Sequence, residues 1–350
     1  MLNCVIKGDC LFALREEIAL NSVDLIYLDP PFFVGRVLKG RRGCEASFED
    51  SKKFWAEKGL ANKDIPEWIK HIARPSKERA AFASYLHYMM ERLQACHKVL
   101  MNTGSIYLHC DWRTSHYLKM VMDEVFGEEN FRNEIIWRRR TNTVKAISRK
   151  FSLNTDSIFF YSKTAKYRFN IQYTSYGEDY LSRFKYQDEH GRYRWNVMAT
   201  YSEERLDKLM QEGKARFGAR SKYPEFKQYE WELKGRPIEN VWTDIDMINA
   251  MGKERVGYPT QKPEELLERI IKASSNENDL VLDPFCGCGT TMIAAHKLNR
   301  KWIGIDISET AFNISIKRLE DNFGLRRGID FQINKDCVKD GKIGREQRQR

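Results

Sequence analysis

The chain has 350 residues, of which 42% are hydrophobic and 12% aromatic, so it is long enough to bury a large core and to form two domains. No run of 18 or more uncharged apolar residues occurs, and the first ten residues lack the pattern of a secretion signal, which argues against a membrane-spanning or exported protein. The formal net charge of +10 favours a polyanionic partner.

The eight cysteines contain no CxxC pair and follow no regular spacing, so they do not form a disulfide scaffold. We therefore expect reduced thiols and a cytoplasmic protein. Cys286 and Cys288 have no second cluster at metal-ligand spacing, and no metal site is predicted.

The first clear element is the apolar run VDLIYL, which is typical of a buried parallel strand and ends at a double proline. The polar stretch 33–77 that follows has several glycines and only short helical patches. We expect it to be a partly mobile loop over a site. Helical spacing and apolar strands then alternate to about residue 165, which predicts a mostly parallel α/β sheet.

A basic segment interrupts this pattern. Residues 132–168 contain ten Lys or Arg and two acidic residues, and the loop 139–153 lies between two predicted strands. We expect this loop to bind the phosphates of a polyanionic partner, and the alternative is a solvated basic surface. The candidate residues for this contact are Arg138, Arg139, Arg140, Lys145, Arg149 and Lys150.

Composition divides the chain into further regions. Residues 166–250 are rich in Tyr, Trp, Lys, Arg and Glu, and they lack long apolar runs, which indicates an inserted second domain. The α/β pattern of residues 1–165 returns over 251–335, and a basic tail of 336–350 follows.

The run LVLDPFCGCGTT predicts a nucleotide-cofactor site. A strand ends at Asp283, a turn containing Gly287 and Gly289 brings the backbone close to a ligand, and a helix begins near Thr290. Asp306 ends the next strand and is placed to accept two ribose hydroxyls. This layout also fits the dinucleotide-cofactor site of an oxidoreductase. However, the turn lacks the third glycine of GxGxxG, so it fits a sulfonium cofactor without a pyrophosphate better.

The tetrapeptide DPPF (Asp29, Pro30, Pro31 and Phe32) predicts the chemistry. An exocyclic amino group of a base is a poor nucleophile, because its lone pair is delocalised into the ring. The Asp29 carboxylate and the Pro30 carbonyl can accept hydrogen bonds from that group and stabilise the positive charge that develops on its nitrogen. The prolines supply rigidity, and Phe32 offers a face for stacking a flipped base. In isolation, the tetrapeptide would indicate only a strand-ending turn.

The order of these motifs resembles that of the β-order, or permuted, amino DNA methyltransferases. In that family DPPY/F precedes a target-recognition domain and FxGxG follows it. Here DPPF begins at residue 29, YPTQKP at 258 and FCGCG at 285, and further likeness extends over almost the whole chain through GSIYLHCDWR, NEIIWRR and WIGIDIS. The cysteines at 286 and 288 depart from the family's commoner residues without changing the assignment.

The resemblance implies a Rossmann-like S-adenosylmethionine methyltransferase core, with a doubly wound sheet, a circularly permuted motif order and target recognition in the inserted domain. It implies methylation of N6 of adenine in double-stranded DNA by base flipping, because a leading Asp is the usual adenine form of the motif. It leaves open a homodimer and a cognate restriction endonuclease as partners. The alternatives are N4-cytosine methylation, a non-catalytic DNA-binding subunit and an RNA substrate.

The resemblance also assigns cofactor residues. Asp9 and Cys10 would line the adenine pocket, Phe285 to Gly287 the methionine side, and Lys262 the cofactor carboxylate. The alternative for Asp9 is a helix N-cap, and for Lys262 a solvated charge at a helix start. The predicted cofactor-binding residues are Asp9, Cys10, Thr260, Gln261, Lys262, Asp283, Phe285, Cys286, Gly287, Gly289, Thr290 and Asp306.

Overall fold

The structure, a computed structural model, describes residues 3–40, 44–60, 65–139, 151–218, 222–249, 252 and 254–337. The chain divides into two compact units. The first unit comprises the residues up to Asn170 and from Glu239 onward, and the second is Ile171–Ile238. The second unit lies within the insertion predicted at 166–250.

The first unit begins with β1 (Cys4–Gly8), α1 (Cys10–Glu16), β2 (Val23–Leu28), β3 (Arg36–Lys39), β4 (Ser47–Asp50), α2 (Lys52–Lys58), α3 (Glu67–Ala73), α4 (Lys77–Val99), β5 (Leu100–Cys110), α5 (Ser115–Phe126), β6 (Phe131–Arg138) and β7 (Thr155–Ser162). The second unit contains β8 (Tyr173–Thr174), α6 (Glu178–Leu181), β9 (Tyr186–Asp188), β10 (Gly191–Val197), α7 (Glu203–Gln211), β11 (Ala215–Phe217), β12 (Pro224–Tyr229) and β13 (Arg236–Pro237). The first unit resumes with β14 (Val241–Trp242), α8 (Glu264–Ser274), β15 (Leu280–Asp283), α9 (Thr290–Lys297), β16 (Lys301–Asp306), α10 (Glu309–Phe323) and β17 (Gln332–Cys337).

A nine-stranded sheet forms the centre of the first unit, in the order β14-β6-β7-β5-β2-β15-β16-β1-β17. β7 is antiparallel to its two neighbours, and the other neighbouring pairs are parallel. This confirms the predicted mostly parallel α/β fold. The central strands are mostly apolar because helices cover a parallel sheet on both faces. Leu25, Ile26 and Leu28 of β2, for example, are fully buried.

The segment predicted to be a loop over 33–77 contains regular structure instead. β3 and β4 pair as an antiparallel hairpin, α2 and α3 follow, and α4 begins at its end. Trp55 and Ile69 anchor the two short helices in the core. The helical patch that the sequence indicates at 65–72 overlaps α3, and the hairpin is the regular structure that the sequence did not predict.

The C-terminal run FQINKDC, which none of the sequence motifs above includes, has a structural role. It forms β17, which pairs with β1 in parallel as an edge strand of the main sheet. The strand extends to Cys337, so it takes up the first two residues of the predicted tail at 336–350. Within the described residues, no helix is both long and apolar enough to cross a bilayer.

The second unit has its own antiparallel sheet in the order β11-β12-β10-β9. Its small core includes Phe184, Met198 and Tyr229, which are almost fully buried. Cationic side chains lie over aromatic rings on this sheet: Arg216 over Trp195 at 3.9 Å and Lys227 over Tyr193 at 4.8 Å.

Candidate active site

A cavity of about 420 Å³ lies at the carboxyl ends of four neighbouring strands of the main sheet. The strands β1, β2, β15 and β16 are adjacent in space, and residues at or directly after their ends line the cavity. Ligands of open α/β sheets bind at this edge. The volume falls in the range of pockets for small cofactors.

The structure brings the predicted site residues together in this cavity. The predicted catalytic and cofactor residues that line it are Asp9, Cys10, Asp29, Pro30, Pro31, Phe32, Thr260, Gln261, Lys262, Asp283, Phe285, Cys286, Gly287, Thr290 and Asp306. Gly289 is the exception among the predicted residues. A Cβ atom on Gly289, whose φ is +81°, would lie 2.8 Å from Ser315 Cβ. The absence of a side chain at Gly289 therefore permits close packing of α9 on α10.

Gly287 lines the cavity and has a backbone conformation that favours glycine. Its φ of +50° lies in the left-handed region, and a Cβ atom there would lie 3.0 Å from the Tyr258 ring. Glycine is the residue that adopts this conformation without strain. The backbone of the turn therefore stays open to the cavity.

Two carboxylates hold the turn. Asp283 is buried and accepts hydrogen bonds from the Phe285 amide at 3.0 Å and from the Thr291 hydroxyl. Asp306 accepts from the amides of Gly287 at 2.9 Å and Ser308 at 2.8 Å. Burial raises the pKa of Asp283 to about 7 and that of Asp306 to about 6, and these hydrogen bonds oppose the rise.

Asp306 keeps capacity for a ligand. Each carboxylate oxygen has about two lone-pair sites, and each oxygen of Asp306 uses one for a backbone amide. One acceptor site on each oxygen is left for a diol such as the two hydroxyls of a ribose.

Asp9 has partners of its own at the start of α1. Its carboxylate caps the helix by accepting from the Leu11 amide at 2.8 Å, and it accepts two bonds from Arg92, at 2.8 and 3.0 Å. Arg92 is buried and stacks on Tyr88, 3.3 Å from the ring centroid. The N-cap alternative for Asp9 is therefore the arrangement observed, and Asp9 forms a fixed part of the cavity wall. Burial raises the pKa of the neighbouring Cys10 to about 11, so this thiol stays protonated.

The residues after Tyr258 also line the cavity, and they differ in what their side chains do. Gln261 accepts from the Val256 amide at 3.0 Å and donates to the Glu254 carbonyl at 2.6 Å, so its side chain holds its own loop. Thr260 has a φ of +64°, which is uncommon for a residue with a side chain. This turn directs Lys262 toward the end of β2.

Lys262 contacts the predicted catalytic carboxylate. Its ammonium donates to Asp29 Oδ2 and lies 5.2 Å from the centre of the Phe32 ring. The other oxygen, Asp29 Oδ1, is buried and has no hydrogen-bond partner within the described part of the chain. A buried acceptor without a partner is costly, and a site that binds an amino group supplies the missing donor.

Phe32 lies against a row of hydrogen-bonded polar side chains that the sequence did not predict. Its ring stacks on His109, with centroids 5.7 Å apart and planes 27° apart. His109 is fully buried between the Tyr27 hydroxyl at 2.9 Å and Asp156 Oδ2 at 3.1 Å. An imidazole held on both nitrogens cannot rotate freely, so it fixes the plane of Phe32. The hydrogen bond and charge of His109 lower the pKa of Asp156 against the opposing effect of burial, which is the largest single influence on that carboxyl.

The arrangement is therefore an acceptor carboxylate, a rigid diproline and an aromatic face in the same cavity as a glycine turn and a free diol acceptor. Residues 23–317 match the model of the N6/N4 methylase family, described as DNA methylase. The chain belongs to this family. The family resemblance stated from the sequence is confirmed, and the protein is a DNA methyltransferase.

Individual relatives agree with this assignment. The type II methyltransferase M.EcaI of Enterobacter cloacae is 29% identical over 342 residues, which cover 90% of this chain and 69% of the relative. The DNA adenine methyltransferase YhdJ of Escherichia coli (strain K12) is 26% identical over 318 residues, with 90% and 82% covered. A Thermus thermophilus protein described as a DNA modification methylase, solved with S-adenosyl-L-methionine, shares the fold at a TM-score of 0.53 and 14% identity, covering 96% of this chain and 99% of that one.

The predicted DNA-binding residues of this methylase are only partly described. Arg138 ends β6 and donates to the Thr243 carbonyl at 3.4 Å, and Arg139 forms an ion pair with Asp156 at 3.3 Å. β6 runs parallel to β2, so this segment leaves the sheet at the edge where Asp29 lies. The remaining candidates, Arg140, Lys145, Arg149 and Lys150, lie outside the described residues.

Several residues of the site are missed by sequence reasoning. Arg92 lies among apolar residues of a helix. A charged residue on such a face is rarely buried without a partner, so the sequence did contain a signal for a buried ion pair. His109 likewise lies near the end of a buried strand, where a polar residue needs a partner. Tyr88 and Asp156 gave no signal, because their partners come from distant parts of the chain.

Proposed function

We propose that this methyltransferase transfers a methyl group from S-adenosylmethionine to N6 of adenine in DNA. The observation that carries the proposal is the Asp29 carboxylate, which lines the cavity with one buried oxygen lacking a partner among the described residues. It lies beside Phe32, and the same cavity contains the glycine turn and Asp306. An adenine amino group and the adenosine of the cofactor each find a matching group there.

The cofactor is S-adenosylmethionine, whose sulfonium supplies an activated methyl group. Asp306 would accept the ribose hydroxyls through its two remaining acceptor sites, and the open backbone at Gly287 would lie beside the methionine part. Asp9, fixed by Arg92, would form the wall at the adenine end. The chain's own residues therefore bind and orient the donor, and proximity and alignment supply much of the rate enhancement.

At the acceptor end, Asp29 and the Pro30 carbonyl would accept hydrogen bonds from the target amino group. These bonds localise the nitrogen lone pair and stabilise the positive charge that develops as the methyl group arrives. Tyr85 donates to the Pro31 carbonyl at 2.8 Å, which holds the diproline in place. Phe32, with one face on His109, would stack the flipped base.

Lys262 has two roles in this proposal. An ammonium beside Asp29 opposes the positive charge that develops on the target nitrogen, because like charges at short distance repel. The carboxylate of the cofactor is an alternative partner for Lys262. We therefore propose that Lys262 pairs with Asp29 in the empty enzyme and with the cofactor carboxylate in the loaded one, which frees Asp29 for the base.

The second unit would recognise the target sequence. Its sheet carries Trp195 and Tyr193 with Arg216 and Lys227 over their rings, a combination that suits base stacking and phosphate contact. Tyr193, Trp195, Arg216 and Lys227 belong to the region 166–250, whose richness in aromatic and basic residues the sequence shows.

Product analysis tests the proposal. Purified enzyme, tritiated S-adenosylmethionine and unmethylated plasmid DNA are incubated, and the nucleosides are separated by chromatography with mass detection. We expect label in N6-methyladenine with wild type and none with Asp29→Ala.

Three other results would contradict the proposal in different ways. Label in N4-methylcytosine would replace adenine by cytosine within the same family. Transfer to RNA in preference to duplex DNA would change the substrate class. Cofactor binding without transfer to any nucleic acid would indicate a non-catalytic subunit.

A further inference from the structure

Asp50, the last residue of β4, has a fully buried side chain that faces the backbone directly after the Asp29–Phe32 motif. Val34 donates its amide to Asp50 Oδ2 at 2.8 Å, and the Trp55 indole donates to Asp50 Oδ1 at 2.7 Å. Burial raises the pKa of Asp50, and the N–H groups of Val34 and Trp55 oppose the rise. The backbone amide of Phe33 opposes it in the same way.

The backbone that Asp50 contacts has an unusual conformation. Phe33 has a φ of +54°, in the left-handed region that residues with side chains rarely adopt. Such a conformation persists where surrounding contacts determine it. The Phe33 ring packs against Phe82 and Tyr85, at centroid distances of 5.1 and 5.8 Å, so the side chain is held from one side and the adjacent backbone by Asp50 from the other.

This contact also joins the motif to the cavity wall. Val34, Leu38, Phe48 and Trp55 line the same cavity as Asp29. The hairpin and α2 are therefore continuous with the site, and Asp50 is the residue that ties the hairpin to the end of the motif.

We infer that Asp50 is a positioning residue for methyl transfer: its carboxylate fixes the backbone after Phe32 and thereby the placement of Asp29 and Phe32 in the cavity. The inference rests on the proposed role of Asp29. Asp50 touches neither substrate nor cofactor in this arrangement, and it acts through the peptide groups that it binds.

A carboxylate suits this position because it is an acceptor only, with about four lone-pair sites for converging N–H donors. An asparagine has the same shape, but its NH₂ group would face N–H donors and cannot accept hydrogen bonds from them. Asp50→Asn therefore removes part of the hydrogen bonding without creating a cavity. Glu45→Gln is the matched control, because Glu45 is an exposed acid on the same hairpin connection and does not line the cavity.

The experiment measures turnover on unmethylated plasmid DNA and, separately, the dissociation constant for S-adenosylmethionine by calorimetry. We expect Asp50→Asn to lower kcat by about 10- to 100-fold, because small displacements of a reacting group have effects of this size. The cofactor dissociation constant should stay at the wild-type value. Glu45→Gln should match wild type within about twofold in both measurements.

A second readout does not depend on activity. Hydrogen exchange of the peptide that contains Val34, followed without DNA or cofactor, should be faster in Asp50→Asn and unchanged in Glu45→Gln. A purely structural role would instead raise exchange over the whole first unit and weaken cofactor binding in parallel with kcat, and that result would overturn the inference. So would a folded Asp50→Asn protein with wild-type kcat.

Trp55→Phe provides a second variant if Asp50→Asn does not fold. It removes one donor to Asp50 and should give a smaller loss of kcat with faster exchange at Val34, whereas wild-type behaviour in both would overturn the inference. If wild-type enzyme transfers no methyl group, the proposed function fails, and the exchange measurement still decides whether Asp50 fixes this backbone.

Discussion

Two regions that meet in the cavity are built in different ways. In the glycine turn, Asp283 binds the amide of Phe285, two residues away, and the helix that follows begins at Thr290. In the hairpin region, Val34 binds Asp50 across sixteen residues, and this link holds the backbone after Phe32. The first region follows a local motif with fixed spacing, to which Asp306 adds a hydrogen bond from Gly287 across nineteen residues. The second region follows no local motif and is held by the buried contacts of Asp50 and by the packing of the Phe33 ring. Sequence patterns describe the first kind of region well and the second kind poorly.

Burial gives the hairpin region its order. A buried charge is unfavourable unless it is hydrogen bonded, so placing Asp50 in the core requires donors around it. The donors come from the backbone after the motif and from Trp55. The described part of the segment 33–77 therefore contributes regular structure to the site, and variants in the two regions test the comparison between them.

The largest effect is expected from Asp29→Asn, at the point where the two regions meet. Methyl transfer should fall by at least about 100-fold, because a preorganised acceptor for the developing charge is lost. Cofactor binding should persist, since the cofactor's proposed contacts lie on other strands. Turnover and cofactor affinity are measured separately, and retention of more than about a tenth of wild-type turnover would remove Asp29 from the proposed mechanism.

Asp306→Asn tests the glycine-turn region. The dissociation constant for S-adenosylmethionine should rise by about 10- to 150-fold, which corresponds to the loss of about 1.5 to 3 kcal/mol for a hydrogen-bonded charged acceptor. Titration calorimetry measures this directly. An unchanged constant would mean that the turn binds the cofactor without Asp306.

The pH dependence of cofactor binding sharpens the same test. The pKa of Asp306 is about 6 in the empty enzyme, and the ionised carboxylate is the form that accepts both hydroxyls. The affinity for S-adenosylmethionine should therefore reach its full value above this pKa and should fall as the pH decreases through it. Asp306→Asn should lose this part of the pH dependence, while a profile identical to wild type would assign the titration to another group.

DNA binding by the basic segment after β6 is predicted from the sequence alone. Variants of this segment therefore test whether amino-acid composition predicts a DNA contact. Neutralising Arg140, Lys145, Arg149 and Lys150 together should flatten the slope of log affinity for duplex DNA against log salt by roughly 3 to 4, if each residue contacts a phosphate. Cofactor binding should not change. The control removes the same charge from four exposed helix positions: Lys53, Lys77, Lys98 and Lys317. If both quadruple variants show the same slope of log affinity against log salt, the segment contributes to DNA binding only through the net charge of the protein.

The smallest effect is expected from Tyr85→Phe in the region that supports the motif. It removes the hydroxyl that donates to the Pro31 carbonyl, and the loss of one such bond should lower kcat by about 2- to 13-fold. Tyr117→Phe removes a hydroxyl whose partner is the exposed Arg79, and it should leave kcat unchanged. If the two variants behave alike, the Tyr85 bond does not position the motif.

The sequence predicted the fold and the composition of the cavity because its signals are local. The apolar strand before Asp29, the turn around Gly287 and the acid at 306 each follow from a few adjacent residues. The prediction of a loop over 33–77 missed the hairpin, whose two strands pair across a connection without a periodic pattern, whereas the helical patch at 65–72 overlaps α3. Gly289 does not line the cavity, and its role toward the cofactor stays a prediction.

The sequence by itself determined which chemical groups the protein carries and in what order, and that was enough for the family and the cofactor. Only the tertiary structure decided which groups share a contact. Lys262 reaches Asp29 across 233 residues of the chain, and Arg92 reaches Asp9 across 83. These contacts exist because α8, which begins two residues after Lys262, packs against β2, and because α4, which carries the buried Arg92, packs against α1, whose N-cap is Asp9. Strand order and helix packing are set by burial of the whole core, and no short stretch of sequence records them.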